Sequence, residues 1–333
     1  MPTARLSFGV AVVKGKIYAI GGYNDSGFLG VNEMYDPETD TWTAKASMPT
    51  IRANFGIAVY QNKIYVIGGS TTTKSNVTIE TNINEVYDPA TDTWETREPM
   101  PTARTIPACG NLNNKIHVIG GYRKAVDHYY FPLINEFVYL NEVYDPLTDS
   151  WSTAARPPSG ICKHTYAVIN NKIYGIFCVE LSTFATQIYD AETDGWSTGE
   201  NMSVAVLDAS AGATTGINAS DRIYVLGGFL HYENTSTDLN QIYDPKTNTW
   251  ISGTPMPTPR FSLEVAVVND ALYAIGGGNA DMMLTVNEKY TPADYIPEFP
   301  SWISFSVMII AVLSLSVVYR RNLGKQLKKG SEQ

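Results

Sequence analysis

Cysteine and histidine are scarce: three and four residues in a chain of 333. Cys109, Cys162 and Cys178 share no metal-ligand spacing, their number is odd, and each lies in an apolar, strand-like run. They read as small buried hydrophobes and not as a disulfide framework. His117, His128, His164 and His231 offer no ligand pair close in sequence. A phosphate loop, a nucleophile elbow and a His-Glu-x-x-His are also missing, so no cofactor, metal site or catalytic residue is expected. Charge is sparse at 17% of residues, with a net charge of -9. Positive charge is concentrated in the last fourteen residues, where Arg320, Arg321, Lys325, Lys328 and Lys329 face only Glu332. The remainder is acidic, which excludes a phosphate backbone as an obvious partner.

What is abundant is repetition. A hydrophobic run ending in Gly-Gly, a variable stretch, Tyr-Asp-Pro, Thr-Asp-x-Trp and Met-Pro-Thr-x-Arg recur in that order. The glycine pairs are Gly21-Gly22, Gly68-Gly69, Gly120-Gly121, Gly227-Gly228 and Gly276-Gly277. The tyrosines are Tyr35, Tyr87, Tyr144, Tyr189, Tyr243 and Tyr290; the tryptophans are Trp42, Trp94, Trp151, Trp196 and Trp250, spaced by 52, 57, 45 and 54 residues. Each unit reads as four short strands: an apolar run, a polar turn, Ile-Tyr-x-Ile-Gly-Gly, a strand ending at Tyr-Asp-Pro, and a strand carrying Trp. Proline stops pairing and Thr-Asp turns the chain. Short strands at regular spacing indicate an all-β array without βαβ units.

These units resemble the Kelch repeat, in which a double glycine precedes a Tyr and then a Trp within about 50 residues. The resemblance covers Met1 to about Tyr290 and implies an all-β, six-bladed Kelch-type β-propeller over residues 1–292, one four-stranded sheet per repeat. It further implies glycines that let strands crowd near the axis, and Tyr and Trp between blades. The fourth unit departs, with Phe177-Cys178 for Gly-Gly and Ala191 for Pro, yet is expected to form a blade. The sixth lacks its Trp strand, while Met1 to Arg5 matches the segment that follows a Trp strand elsewhere. Kelch propellers usually close by pairing strands from both chain ends. An N-terminally truncated chain is therefore expected, its sixth outer strand and any export signal lying upstream.

Residues 293–301 read as a linker and Trp302–Tyr319 as an uncharged, largely apolar stretch of 18 residues. That is near the length of a membrane-spanning helix, with interfacial aromatics at its ends. The basic tail, residues 320–333, orients it: tail in the cytoplasm, propeller outside. Pro297-Glu298-Phe299, the hydrophobic stretch and the basic cluster together resemble the Pro-Glu-Phe sorting signal of archaeal surface proteins. That resemblance implies an archaeosortase-like processing enzyme as a partner. A plain spacer before a permanent anchor is the alternative.

Antiparallel order puts the second-to-third and fourth-to-first connections on one face. The long loops Tyr23–Gly30, Ser70–Asn82, Tyr122–Tyr139 and Phe229–Leu239 all fall there, and the other face has only tight turns. Variable loops on a rigid scaffold are where binding residues concentrate. The third loop carries His128, Tyr129, Tyr130 and Phe131, aromatics suited to sugar rings or a protein partner. Tyr23, Phe229 and His231 extend that surface. Arg52, Arg104 and Arg260, with Arg5, recur near the same face and could attract an acidic ligand, although Met-Pro-x-x-Arg belongs to the repeat signature itself, which favours a structural ion-pair role. Asp36, Asp88, Asp145, Asp190 and Asp244 read as turn residues. The expectation is a membrane-anchored, cell-surface module that binds a protein or glycan. The alternative is a glycan- or sialic-acid-directed enzyme, since some Kelch-type propellers are isomerases or copper oxidases.

Overall fold

The computed structural model describes residues 1–75, 77–125, 134–159, 165–176 and 186–296. Met1–Tyr295 form one compact unit. Five four-stranded antiparallel sheets and one three-stranded sheet follow one another along the chain, each built in the order of its strands. In the first blade Gly9–Val13, Lys16–Ile20, Asn32–Asp36 and Thr41–Lys45 pair in sequence, and the later blades repeat this. The sixth consists of Glu264–Val268, Ala271–Ile275 and Asn287–Tyr290. Blade four forms despite its departures, over Tyr166–Ile169, Lys172–Ile176, Thr186–Asp190 and Gly195–Gly199.

First strands of neighbouring blades meet around the axis. Their own glycines allow this approach: a Cβ on Gly56 would lie 2.7 Å from Cβ of Cys109 in the next blade. The Gly-Gly pairs have a different task from the expected one. All ten residues have positive φ at the end of the second strand, where the chain turns into the long loop. A Cβ on Gly69 would meet the Ala53 carbonyl at 2.6 Å.

Between blades runs a closed belt of aromatic rings. The second-strand Tyr of one blade meets the third-strand Tyr of the next: Tyr18 with Tyr87, Tyr65 with Tyr144, Tyr174 with Tyr243, Tyr224 with Tyr290 and Tyr273 with Tyr35, at 5.8 to 6.0 Å. His117 takes the Tyr position in blade three, packs on Tyr189 at 5.2 Å and is buried, which pushes its pKa down. In blades one to five the third-strand Tyr also packs on its blade's Trp at 5.0 to 5.2 Å. The Thr-Asp turn is more than a turn. Asp92 sits at positive φ, accepts the Tyr87 hydroxyl at 2.6 Å and accepts the Ala46 N–H of the preceding blade at 2.8 Å. Trp94 Nε1 donates to the Ala46 carbonyl at 2.8 Å. Asp149, Asp194 and Asn248 repeat the latch with Glu98, Ala155 and Glu200.

The Met-Pro-Thr-x-Arg segments lie between blades. Arg52 donates to the Val66 carbonyl at 2.8 Å and pairs with Glu85 at 2.8 Å, while its own carbonyl accepts the Gly22 N–H at 3.0 Å. Arg5–Glu33, Arg104–Glu142 and Arg260–Glu288 repeat the pair, and all four Arg are fully buried. Burial lowers Arg5, Arg52 and Arg104 to about 10, opposed by the facing carboxylates, so all stay charged at neutral pH. Where the repeat has no Arg at this position, the Glu is also replaced: Ile161 with Gln187 and Val206 with Gln241. Gln241 instead exchanges both amide bonds with the Val204 backbone, at 2.7 and 2.9 Å.

Removing one member of a buried pair strands a charge, which costs about 3–5 kcal/mol, whereas replacing both is often neutral. Glu142→Gln is therefore expected to lose about that much stability. The double variant Arg104→Val/Glu142→Gln, a copy of the pair in blade five, should recover most of it in urea denaturation.

Candidate functional site: the hairpin face and the channel

Four two-stranded hairpins rise from one face, one within each predicted long loop: Tyr23–Asn24 with Gly27–Phe28, Ser70–Thr72 with Thr78–Glu80, Tyr122–Ala125 with Ile134–Phe137, and Phe229–Leu230 with Thr235–Ser236. Each is clamped at its base by one bridge to the residue that leads into its own blade: Leu6 to Tyr23, Ala53 to Ser70, Thr105 to Tyr122 and Leu207 to Phe229. Ser7, Asn54, Ile106, Asp208 and Ser262 follow these lead-in residues, all at positive φ. They link blades around the channel mouth, Asn54 N–H to the Ser7 carbonyl at 3.0 Å and Ser262 N–H to the Asp208 carbonyl at 2.7 Å.

The opposite face is not uniformly made of tight turns. In blade five the chain from Thr214 to Arg222 makes a longer loop, gathered by Asp270 of blade six. The Asp270 carboxylate accepts N–H groups of Thr215, Ile217, Asn218 and Ala219 at 2.6 to 3.1 Å. These bonds hold its pKa below the usual range against its burial. Asp36, Asp88, Asp145, Asp190 and Asp244 are turn residues as read, each accepting the N–H two residues on at 2.9 to 3.0 Å.

The structure sorts the binding residues read from the sequence. Arg52, Arg104 and Arg260 leave the ligand set: with no exposed surface and their charge already paired, they offer a ligand nothing. Tyr23 and Phe229 are half-buried at hairpin bases, Tyr23 against Phe28 and Phe229 edge-on to Phe261 at 5.6 Å. His231 is exposed at a hairpin tip beside Tyr232, which is 86% exposed. Among the described residues no hydrogen bond or ion pair joins His231 to a carboxylate or an Arg. His128, Tyr129, Tyr130 and Phe131 lie outside the described residues, as do His164, Pro297-Glu298-Phe299 and 302–319. Flanking that gap, Phe137 packs on Tyr122 at 4.8 Å and Tyr139 is 46% exposed. No described helix is long and apolar enough to cross a membrane.

Two spaces were not foreseen. A cleft of about 540 Å³ lies between the blade-one hairpin and the Gly278–Met283 loop of blade six, lined by Asn24, Asp25, Ser26, Asn279, Asp281 and Met282. A second space of about 210 Å³ is the channel itself, bounded by first-strand residues of all six blades. It contains Glu264, half-buried, and desolvation there pushes its pKa up to about 8. Ser210 donates to Glu264 Oε2 at 3.4 Å. Cys109, buried and free, also borders the channel, and burial raises its thiol to about 12. Glu264 escaped notice because one acid in an apolar strand has no periodic signature. The signal lay in its repeat position, which elsewhere carries Gly9, Gly56, Ala108, Thr165 and Ser210.

Folded Glu264 keeps a proton that the unfolded chain releases near 4.5. Stability is therefore expected to fall as pH rises from that value toward 8. Glu264→Gln should remove this loss, so the variant should gain on the wild type between about pH 5 and pH 8, read by urea midpoints.

Residues 54–277 match the family model described as the KLHDC2/KLHL20/DRC7 Kelch-repeats domain, and residues 4–49 match the Kelch motif. The chain is 31% identical over 175 residues to Kelch-like protein 26 of Danio rerio, covering 52% of this chain and 27% of that protein. It is 26% identical over 280 residues to Kelch-like protein 23 of Mus musculus, covering 83% of this chain and 46% of that protein. It thus spans less than half the length of these relatives. The solved structure of YjhT superposes with a TM-score of 0.74 at 19% identity, over 88% of this chain and 97% of that one, which shows a shared fold. The chain belongs to the Kelch-repeat family.

Proposed function

We propose that the chain is a membrane-anchored, cell-surface binding module that takes a protein or glycan partner on its hairpin face. The observation that carries this reading is the asymmetry between the faces. One bears four hairpins clamped only at their bases, with Tyr232, Tyr139 and Met282 set out in solvent. Exposed aromatic and Met side chains are the residues that recognition surfaces use. A protein is the first partner class to test, since Kelch domains generally mediate protein binding. The anchor rests on the sequence alone: Trp302–Tyr319 would span with Arg320-Arg321 cytoplasmic and the propeller outside. Pro297-Glu298-Phe299 would present a site to an archaeosortase-like enzyme. The glycan- or sialic-acid-directed enzyme reading gains nothing from His231, which has no acid or Arg paired with it among the described residues.

Tyr139→Ala/Tyr232→Ala is expected to weaken capture of cell-surface protein or arrayed glycan at least about tenfold, with an unchanged urea midpoint because both side chains are exposed. Undiminished binding would move the site off this face. In alkaline extraction of membranes the full chain should stay in the pellet, and a chain lacking 302–319 should be released.

A further inference from the structure

The channel acid is a half-enclosed carboxyl that, among the described residues, takes part in no ion pair and no blade-to-blade latch. The four buried Arg each face their own Glu, Asp270 holds a loop, and Asp92 with its equivalents latches blades. Glu264 holds nothing together. Among the described residues its hydrogen bond is the long one from Ser210, whose hydroxyl also accepts the Val265 N–H at 3.1 Å. The cavity beside it is lined by Phe8, Phe55 and Tyr166 and by aliphatic and small residues, with no Lys or Arg among the described residues that line it. Glu264 is an acid of reach in a layer of glycine, alanine, serine and threonine, so its carboxyl is set into space that five other blades leave open.

We propose that the channel is a binding site for a small organic cation, a primary ammonium on a slim apolar stem, received by the Glu264 carboxylate. Four features select this ligand. A lone carboxylate in an apolar, aromatic space gains most from an opposite charge, because the alternative is an unpaired buried anion. Aromatic rings favour cations over neutral groups of the same shape. A metal ion wants several oxygen or nitrogen ligands, and among the described residues no group of three ligands forms. Ser210 engages Oε2, leaving Oε1 for a compact single donor where a guanidinium fork would need both oxygens. The space of about 210 Å³ holds a molecule of this size, equivalent to about seven waters. The acidic body would raise the local concentration of such a cation. This site is independent of the hairpin-face reading.

The cation requires the ionised carboxylate, so binding expels the proton that Glu264 otherwise keeps at neutral pH. The test titrates the full chain with n-butylammonium chloride by calorimetry, in two buffers of different ionisation enthalpy, with n-butanol as the neutral isostere. The expected result is binding of the amine alone, release of about one proton, and affinity rising about tenfold per pH unit up to pH 7.5, as the competent fraction grows. Glu264→Gln should abolish binding, and Tyr232→Ala should leave it intact. Equal binding of amine and alcohol, affinity indifferent to pH in the wild type, or no uptake would show a channel holding only water and overturn the proposal. The wild-type pH series stands by itself if the Gln variant folds poorly.

Discussion

A guanidinium sealed between two blades governs this architecture. Each buried Arg reaches a carbonyl of its own blade's second strand and a carboxylate on the third, and the backbone carbonyls of Arg52, Arg104 and Arg260 take an N–H from the Gly-Gly of the preceding blade. Among the described residues the Nε of each finds no acceptor. The pair is therefore an expensive arrangement whose value lies in register: only one setting of neighbouring blades satisfies both the charge and the carbonyl. Polar pairs of this kind are better at specifying geometry than at adding stability. Two blades do without it. In blade five Val206 stands at the Arg position, and the neutral Gln241 amide, bonded to the Val204 backbone, serves instead. Charge and counter-charge appear and disappear together along one chain, which is what a physical pair requires.

The pair sets register, and the aromatic belt and the latches supply the burial. Five blades cover a neighbour with a second-strand Tyr and blade three with His117, and Trp94, Trp151, Trp196 and Trp250 donate to the preceding blade's backbone. The belt closes where Tyr273 meets Tyr35, at 6.0 Å. There the described sheet of blade six has three strands, and the junction gains a Met1 amine bonded to the Thr285 carbonyl and Lys289 set over the Tyr273 ring. Because every contact of the belt is between adjacent blades, the ring is a sum of local junctions, as repeat proteins are.

Much of this was legible in the sequence because it recurs. Gly-Gly, Tyr, Trp and Arg fix blade number, strand order and the face that carries long loops. Recurrence alone did not assign the Arg. The decisive sign was two positions before each Tyr, where Glu accompanies Arg in the repeat and Gln accompanies Ile161 or Val206. The Gly-Gly pairs were recognised, but their reason was misplaced: positive φ at a strand end, where crowding at the axis had been expected. What does not recur was not read. The blade-five loop held by Asp270, the cleft between blades one and six, and Glu264 each occur once. Their meaning comes from neighbours distant in sequence.

That division has a physical cause that bears on function. Residues that close the ring are tied to two blades at once, so a change at Arg104 or Trp151 disturbs a junction. Exposed hairpin-tip residues such as Tyr232 stand in solvent, so their substitution leaves the junctions intact. The channel is a third class. Its walls are small because first strands must approach closely, and a position that must be small in a tight ring tolerates a longer side chain only if the axis offers room. Glu264 uses that room and faces a space the scaffold cannot fill. A side chain that adds nothing to closure and carries the desolvation of an acid is free for what it can meet, and in a channel bordered by aromatic rings that is a positive charge.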